Sequence, residues 1–259
     1  RLMGETTIDA EGLMLSFPME RRVSIAISYR RDSSIRFYAS DLNERKRTNL
    51  SNLRYKREDR WANLIKASIS AYLGEAAAFK GFNITVSGDV PLGLGLGSAT
   101  ALRSAAAKAA ALISGFDPGA DEIAASIAEL DRSLFDRPPR PAYYMATLSA
   151  MPDSISYVDA LKGSVENLPT IFEDVRLILT DSKVPRPPLE GELGQRVLDC
   201  AAGFSMMHGT GHHRLRDCTA SELDEYMGIM PERVRRHCSF FVDEIQRVKE
   251  TREDRKSVV

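Results

Sequence analysis

The stretch that decides the fold is Pro91-Leu-Gly-Leu-Gly-Leu-Gly-Ser-Ala-Thr100, between a short apolar alternation and an alanine-rich segment. Gly93, Gly95 and Gly97 allow positive φ angles and a close approach of the backbone to a ligand. Ser98 stands where a helix is expected to begin, so its hydroxyl can cap the helix or contact a phosphate or a metal ion. The free N–H groups of the first turn and the helix dipole predict an anion-binding site here.

Two well-known phosphate-binding motifs do not fit this loop. A P-loop requires a lysine after its last glycine, and none follows here, whereas the dinucleotide fingerprint requires a third glycine where Ser98 stands. The loop could also be a turn that only packs a strand on a helix. Pro91, Leu96 and Ser98, together with the three glycines, favour the ligand-binding interpretation.

The segments around the loop predict a mixture of strands and helices. Alternation of apolar residues predicts strands at 13–17, 23–27, 35–38 and 84–86, and continuous apolar character predicts a buried strand at Val175–Thr180. Helical spacing or composition predicts helices at 61–78, 99–113, 121–134 and over most of 189–249. Thr219-Ala-Ser-Glu222 has the spacing of a capping box. The predicted architecture is α+β.

Residues 41–60 are polar and basic, and they allow two interpretations. The run could grip phosphate groups. The interpretation that we favour is a solvated loop, since Glu44, Glu58 and Asp59 partly offset its positive charge.

The composition is typical of a globular protein. The 259 residues are 43% hydrophobic and 27% charged, with a formal net charge of −1. This balance predicts no general attraction to nucleic acid or to anionic membranes, and no apolar run reaches the ~20 residues of a membrane-spanning helix. Three cysteines, an odd number, predict a reducing, cytoplasmic setting. The sequence starts at Arg1, so we expect it to be part of a longer protein.

Two further groups of residues allow a metal or redox interpretation. His208-Gly-Thr-Gly-His-His213 spaces its imidazoles as a transition-metal site could, but its two glycines and lack of companion ligands favour a mobile loop. Cys200, Cys218 and Cys238 lack a nucleophilic arrangement and are expected to be small buried hydrophobes.

The glycine loop and the alanine-rich helix after it resemble the nucleotide loop of the GHMP small-molecule kinases. Within that superfamily the rest of the chain resembles the galactokinases. Leu2-Met-Gly-Glu-Thr-Thr7 is similar to the galactokinase start motif, and Leu179–Val184 and Arg196–Cys200 are similar to a later strand and helix. The resemblance runs in order over most of the chain.

The resemblance implies an α+β GHMP kinase fold. Residues 1–184 would form a nucleotide-binding N-terminal domain like the second domain of ribosomal protein S5. Residues 185–259 would begin a ferredoxin-like C-terminal domain, incomplete because the family's last glycine motif is absent.

The resemblance also implies site residues. ATP would lie on the loop residues Pro91, Gly93, Gly95, Leu96, Gly97, Ser98 and Thr100. Mg²⁺ would bind Ser98 and Asp131, and a sugar-like acceptor would face Glu5, Asp9 and Asp181. Ala146 stands where the family has an aspartate near the sugar hydroxyl, so the catalytic residue stays unassigned.

Three functional hypotheses follow. The first is an ATP-dependent kinase of galactokinase type that phosphorylates a hydroxyl of a sugar or related small molecule. The second is an inactive relative that binds a nucleotide or a sugar and acts as a sensor or partner subunit. The third, a nucleic-acid binder using residues 45–60, ranks last because the chain has little excess charge. The oligomeric state is left open.

Overall fold

The computed structural model describes residues 1–73, 80–135, 139–170, 177–184 and 190–256. The chain forms two compact units: a central unit, Met19–Ser149, and a split unit, Arg1–Pro18 with Ala150–Val259. The strands are β1 (Leu13–Ser16), β2 (Val23–Tyr29), β3 (Ser34–Ala39), β4 (Glu44–Asn49), β5 (Phe82–Gly88), β6 (Ser154–Asp159) and β7 (Ser164–Pro169). The helices are α1 (Ala62–Ser70), α2 (Ser98–Ile113), α3 (Ala120–Phe135), α4 (Pro141–Leu148), α5 (Glu190–Met206), α6 (Ala220–Tyr226) and α7 (Glu232–Lys256).

The central unit is built on a four-stranded sheet with the order β2-β5-β3-β4. The β3 and β5 strands are parallel, and the other two pairs are antiparallel. Alternation places the buried side chains Ile35, Phe37, Phe82 and Ile84 on one face, where they share a core with α1 and α2. Small residues such as Ala106 and Ala110 line the buried side of α2. The strands predicted at 23–27, 35–38 and 84–86 and the helix predicted over 99–113 are therefore confirmed.

The solvated loop that we expected at 41–60 is wrong for its first part, because residues Glu44–Asn49 form strand β4. This strand pairs with β3 at the edge of the sheet, and its side chains alternate between half-buried and exposed until Thr48, which is buried. Charge at an edge strand discourages pairing with another chain. The alternation of half-buried and exposed positions was not recognised in the sequence, because both kinds of position carry charged side chains.

Two other predicted elements differ from the structure. Helix α1 ends at Ser70, and the predicted extension to residue 78 falls partly on residues 74–79, outside the described residues. The predicted buried strand at 175–180 is wrong over 177–180, where the backbone is irregular and Ile178 and Leu179 are exposed. Residues 175 and 176 lie outside the described residues. An apolar segment forms a strand only where a neighbouring strand pairs with it, and apolar character does not predict that neighbour.

The split unit contains a three-stranded antiparallel sheet with the order β1-β6-β7. Leu13 and Leu15 pack in one core with apolar residues of α5 and α7. The hairpin of β6 and β7 was not predicted, although Gly163, with φ of 59°, marks its turn. The predicted helices over 189–249 are confirmed in α5, α6 and α7, and the Thr219–Glu222 capping box is present at the start of α6.

The boundary between residues 184 and 185 that the resemblance implies stays a prediction, since compactness does not test where the family's domains divide. Among the described residues, no helix combines the length and the apolar character needed to cross a bilayer.

Candidate functional site

The glycine loop joins β5 to α2 in the conformation that its composition predicts. Gly93, Gly95 and Gly97 have φ angles of 78°, 73° and 86°, which L-residues with a side chain rarely adopt. A Cβ atom built on Gly93 or Gly97 would meet nothing within 4 Å. The glycines are therefore required by the backbone conformation, and they leave open space beside it.

The loop leads directly into the N-terminus of α2, where no side chain caps the helix. Gly97 is the capping residue and supplies no side-chain hydrogen bond, and the first helical bond runs from the Ala101 N–H to the Gly97 carbonyl. The backbone N–H groups before Ala101 thus precede the helical ladder. Within the described part of the chain, the half-buried hydroxyls of Ser98 and Thr100 also make no hydrogen bond. Such a helix end favours an anion.

A buried polar cluster fixes α2 against its neighbours. Arg103 in α2 donates to Asp131 Oδ1 of α3, to Tyr144 Oη of α4 at 2.7 Å and to the Ile127 carbonyl at 3.2 Å. Tyr144 in turn donates to Asp131 Oδ2 at 2.9 Å. Arg103 was not predicted as a functional residue, although a lone arginine among the alanines of an amphipathic helix indicates a buried polar contact. The cluster positions the helix that carries the loop.

Asp131, a predicted metal ligand, is part of this cluster. Its side chain is 8% exposed, and each of its oxygens accepts a hydrogen bond from Arg103 or Tyr144. It could bind a cation only by giving up at least one of these contacts. Its assignment to Mg²⁺ therefore stays a prediction, and binding the ion would break a hydrogen bond to Arg103 or to Tyr144.

Ala146 lies on α4, where it is buried. Its methyl group supplies neither a carboxylate nor a hydrogen bond. The structure thus offers no acid at the position where the resemblance implies one.

The three residues predicted to face the acceptor lie in the split unit. Glu5 forms an ion pair with Arg1 at 2.9 Å, and Asp9 is half-buried in a short 3₁₀ turn. Asp181 is paired with Lys183 at 2.8 Å. Hydrogen bonds from the Lys183 side chain and backbone hold the pKa of Asp181 below its ordinary value. These assignments also stay predictions.

A cavity of about 370 Å³ opens between α5 and α7 of the split unit. It is lined by Thr6, by Glu192 and Arg196 of α5, and by Arg236 and His237 of α7, with Phe241 below them. We call it the α5–α7 cavity. Thr6 and Arg196 belong to two separate segments of the family resemblance, and nothing in the sequence placed them beside each other or beside His237.

Asp199 holds one ring nitrogen of His237. Its carboxylate is buried and accepts from His237 Nδ1 at 2.8 Å, from Arg233 Nε at 2.9 Å and from Gln195 at 2.9 Å. Burial alone would raise the pKa of Asp199, but these hydrogen bonds hold it below its ordinary value. Because an ionised carboxylate only accepts, Nδ1 carries the proton.

The histidine pattern at 208–213 forms no metal site in the described residues. His212 pairs with Glu222 at 3.0 Å, and within the described ranges no group of three or more potential ligands gathers. The three cysteines are buried and free, as expected for small apolar side chains.

Comparisons with known proteins agree with the geometry of the loop. The family model for the GHMP kinases N terminal domain matches residues 63–139, which include the whole glycine loop. A candidate galactokinase of Treponema pallidum is 28% identical over 206 residues, covering 80% of this chain and 52% of that protein. Residues 63–139 are therefore similar to a GHMP kinase N-terminal domain, and the chain is similar to galactokinases over most of its length.

Other galactokinases show the same relation. The galactokinase of Actinobacillus pleuropneumoniae (serotype 5b) is 25% identical over 228 residues, covering 86% of this galactokinase-like chain and 58% of that enzyme. The chain therefore spans a little over half the length of these curated relatives.

Solved structures confirm the GHMP kinase fold. Lactococcus lactis galactokinase, complexed with galactose in that crystal, superposes with a TM-score of 0.85 at 17% identity, covering 99% of this chain and 67% of that one. Methanococcus jannaschii mevalonate kinase superposes with a TM-score of 0.58 at 14% identity, covering 96% and 76%. At these identities the likeness concerns the fold.

Proposed function

We propose that this galactokinase-like chain transfers a phosphoryl group from ATP to a hydroxyl of a sugar or a related small molecule. The observation that carries the proposal is the open glycine loop, with three positive φ angles, running directly into the uncapped start of α2. The galactokinases among its relatives support the same chemistry. The acceptor's identity does not follow from the loop.

The residues of the loop fit a nucleoside triphosphate. Backbone N–H groups of Leu96 and the three glycines would approach the phosphates through the space that a side chain at Gly93 or Gly97 would fill. Pro91 has no N–H and would line the nucleotide site without donating a hydrogen bond. The hydroxyls of Ser98 and Thr100 would donate to phosphate oxygens. When bound, ATP supplies the phosphoryl group, and the chain's contribution is to position it and to stabilise negative charge.

For Mg²⁺ the described residues fit less well. Ser98 offers a hydroxyl, but Asp131 is held by Arg103 and Tyr144, and no cluster of ligands forms elsewhere in the described ranges. Ser98 is the residue that we propose for this ion, and no step is derived through it. A cytoplasmic setting is also proposed, in keeping with three free cysteines.

The proposal is tested by calorimetric titration with a non-hydrolysable ATP analogue, with and without magnesium. The diagnostic variant is Gly97→Val, because a side chain would enter the open space of the loop. Gly115→Val is a matched control: Gly115 has φ of 85° and equally open surroundings, but lies after the C-terminal end of α2. Both changes impose similar backbone strain.

We expect Gly97→Val to weaken binding of the analogue at least about tenfold, the equivalent of one lost charge-assisted hydrogen bond. Gly115→Val should retain the binding of the unmodified chain. No binding of the analogue at millimolar concentration, or equal loss in both variants, would mean that the loop has only a structural role.

The second candidate is a relative that binds a nucleotide or sugar without transferring phosphate. Two observations favour it: buried Ala146 offers no acid, and Asp131 is occupied. Loss of a general base typically costs about 10²–10⁴ in rate. If the chain binds the ATP analogue but produces no ADP with a panel of sugars and sugar acids, the second candidate replaces the first.

A further inference from the structure

The α5–α7 cavity carries more positive than negative charge on its lining. Arg196 donates to Glu192, so this pair is locally neutral. Arg236 has no carboxylate partner within the described part of the chain. Two guanidinium groups therefore face one carboxylate, which leaves an excess of one positive charge before His237 is considered.

Two nitrogen atoms of this lining have no hydrogen-bond partner among the described residues. Arg196 Nε is buried without a hydrogen-bond partner. Leaving a buried donor unpaired costs free energy, so it requires an explanation. His237 Nε2 likewise has no partner among the described residues, and because Nδ1 carries the ring proton, Nε2 is an acceptor. A hydroxyl of a bound molecule would supply the hydrogen that His237 Nε2 can accept.

The rest of the lining is apolar. Phe241 is buried beneath the cavity, and Phe240 and Cys200 extend the apolar wall. An apolar surface with a few convergent donors is the usual character of a small-molecule site. The volume of about 370 Å³ lies in the range of such sites and suits a ligand with one ring.

The excess charge distinguishes between two kinds of anion. A phosphate monoester carries between about one and a half and two negative charges at neutral pH, whereas a carboxylate carries one. One excess positive charge matches the carboxylate. The planar guanidinium groups of Arg196 and Arg236 also suit carboxylate oxygens.

We propose that the α5–α7 cavity binds the acceptor, and that this acceptor is a sugar acid whose carboxylate lies between Arg196 and Arg236. The neutral part of the ring would rest on Phe241, and His237 Nε2 would accept a hydrogen bond from a ring hydroxyl. The identity of the bound molecule as the acceptor rests on the proposed kinase function. Binding itself requires no turnover and can be measured separately.

The test is calorimetric titration of the full chain with D-galacturonate, D-galactose and inorganic phosphate. Arg236→Gln removes the unpaired charge. Arg235→Gln is the matched control, because Arg235 is adjacent on α7 and exposed like Arg236, but does not line the cavity. Both variants change the net charge equally, so a difference between them reports on the cavity and not on the general field.

We expect D-galacturonate to bind at least about tenfold more tightly than D-galactose, and Arg236→Gln to weaken it about ten- to a hundredfold, the range for a hydrogen bond to a charged group. Arg235→Gln should leave the affinity unchanged. Equal affinity for the two sugars, tighter binding of phosphate, equal effects of the two variants, or no binding would each overturn the proposal.

These outcomes separate the cavity from the kinase proposal. ADP formation with D-galactose and none with D-galacturonate would overturn the sugar-acid acceptor and leave the kinase intact. Binding of D-galacturonate that depends on Arg236, in a chain that fails to bind the ATP analogue, would overturn the kinase and leave a sugar-acid binding site.

Discussion

Replacing Arg103 by methionine tests the buried cluster that holds α2 in place. The substitution keeps a long side chain in the core and removes the guanidinium. Arg103 and Asp131 have side chains only 4% and 8% exposed, so water cannot replace the lost partner. The change leaves the Asp131 carboxylate with Tyr144 alone and deprives the Ile127 carbonyl of its side-chain donor.

The expected cost follows from this burial. Removing one member of a buried ion pair typically lowers the free energy of unfolding by about 3–5 kcal/mol, because the remaining charge stays buried without its partner. An exposed pair contributes ~1 kcal/mol or less. Arg132→Gln is therefore the control: Arg132 lies on α3 beside Asp131 and pairs with Glu129 at 3.7 Å, with both side chains more than half exposed.

The assay is urea denaturation followed by tryptophan fluorescence. Trp61 is the single tryptophan of the chain and lies in the central unit, where its Nε1 donates to Glu44 at 3.0 Å. Its emission therefore reports the unit that contains the cluster. Arg103→Met should shift the Trp61 transition strongly, and Arg132→Gln by no more than ~0.5 kcal/mol.

A triple variant separates lost charge pairing from lost packing. Arg103→Met with Asp131→Leu and Tyr144→Phe replaces the polar cluster by apolar groups and leaves no buried charge. We expect it to be more stable than Arg103→Met alone, because no unpaired carboxylate remains. An effect of Arg103→Met below about 1 kcal/mol, or one equal to that of Arg132→Gln, would refute the reasoning.

Three further outcomes are expected in the split unit. Gly203→Ala should lower the free energy of unfolding by about 1–3 kcal/mol, because its Cβ would lie 2.3 Å from Cys238 Sγ. Gly194→Ala lies on the same helix, but its Cβ would meet nothing, so this change should raise the free energy of unfolding by up to ~1 kcal/mol. Urea titration followed by circular dichroism measures both effects. Thr219→Ala removes the capping bond to the Glu222 N–H and should cost about 1 kcal/mol in the same assay, and full stability would contradict a role for the cap. Hydrogen bonds from the Thr219 backbone and hydroxyl lower the pKa of Glu222 to about 2. The contribution of Glu222 to stability is therefore present above pH 4.5 and is lost as the pH falls towards 2. Glu222→Gln should flatten the dependence of stability on pH in that window, and an unchanged dependence would contradict the assignment.

Several features of the fold could be predicted because they depend on short segments. The positive φ angles of Gly93, Gly95 and Gly97 follow from a loop that only glycine tolerates, and the capping box at Thr219 needs three residues in sequence. The alternation of Ile35 and Phe37 predicts which face of β3 is buried. By contrast, the alternation in β4 was hidden because its side chains are charged, and 177–179 pair with no strand of the described residues.

The sequence by itself thus determined the glycine loop, the order of most strands and helices, and the family resemblance that they carry. Only the tertiary structure decided which distant side chains meet. Arg103 and Asp131 are 28 residues apart, and Asp199 and His237 are 38 apart. Periodicity and φ preferences act within a few residues. Pairs between distant side chains depend instead on how whole helices pack, and on the free-energy cost of burying a polar group without a partner. The charge that distinguishes the α5–α7 cavity therefore becomes visible only after α5 and α7 are brought together.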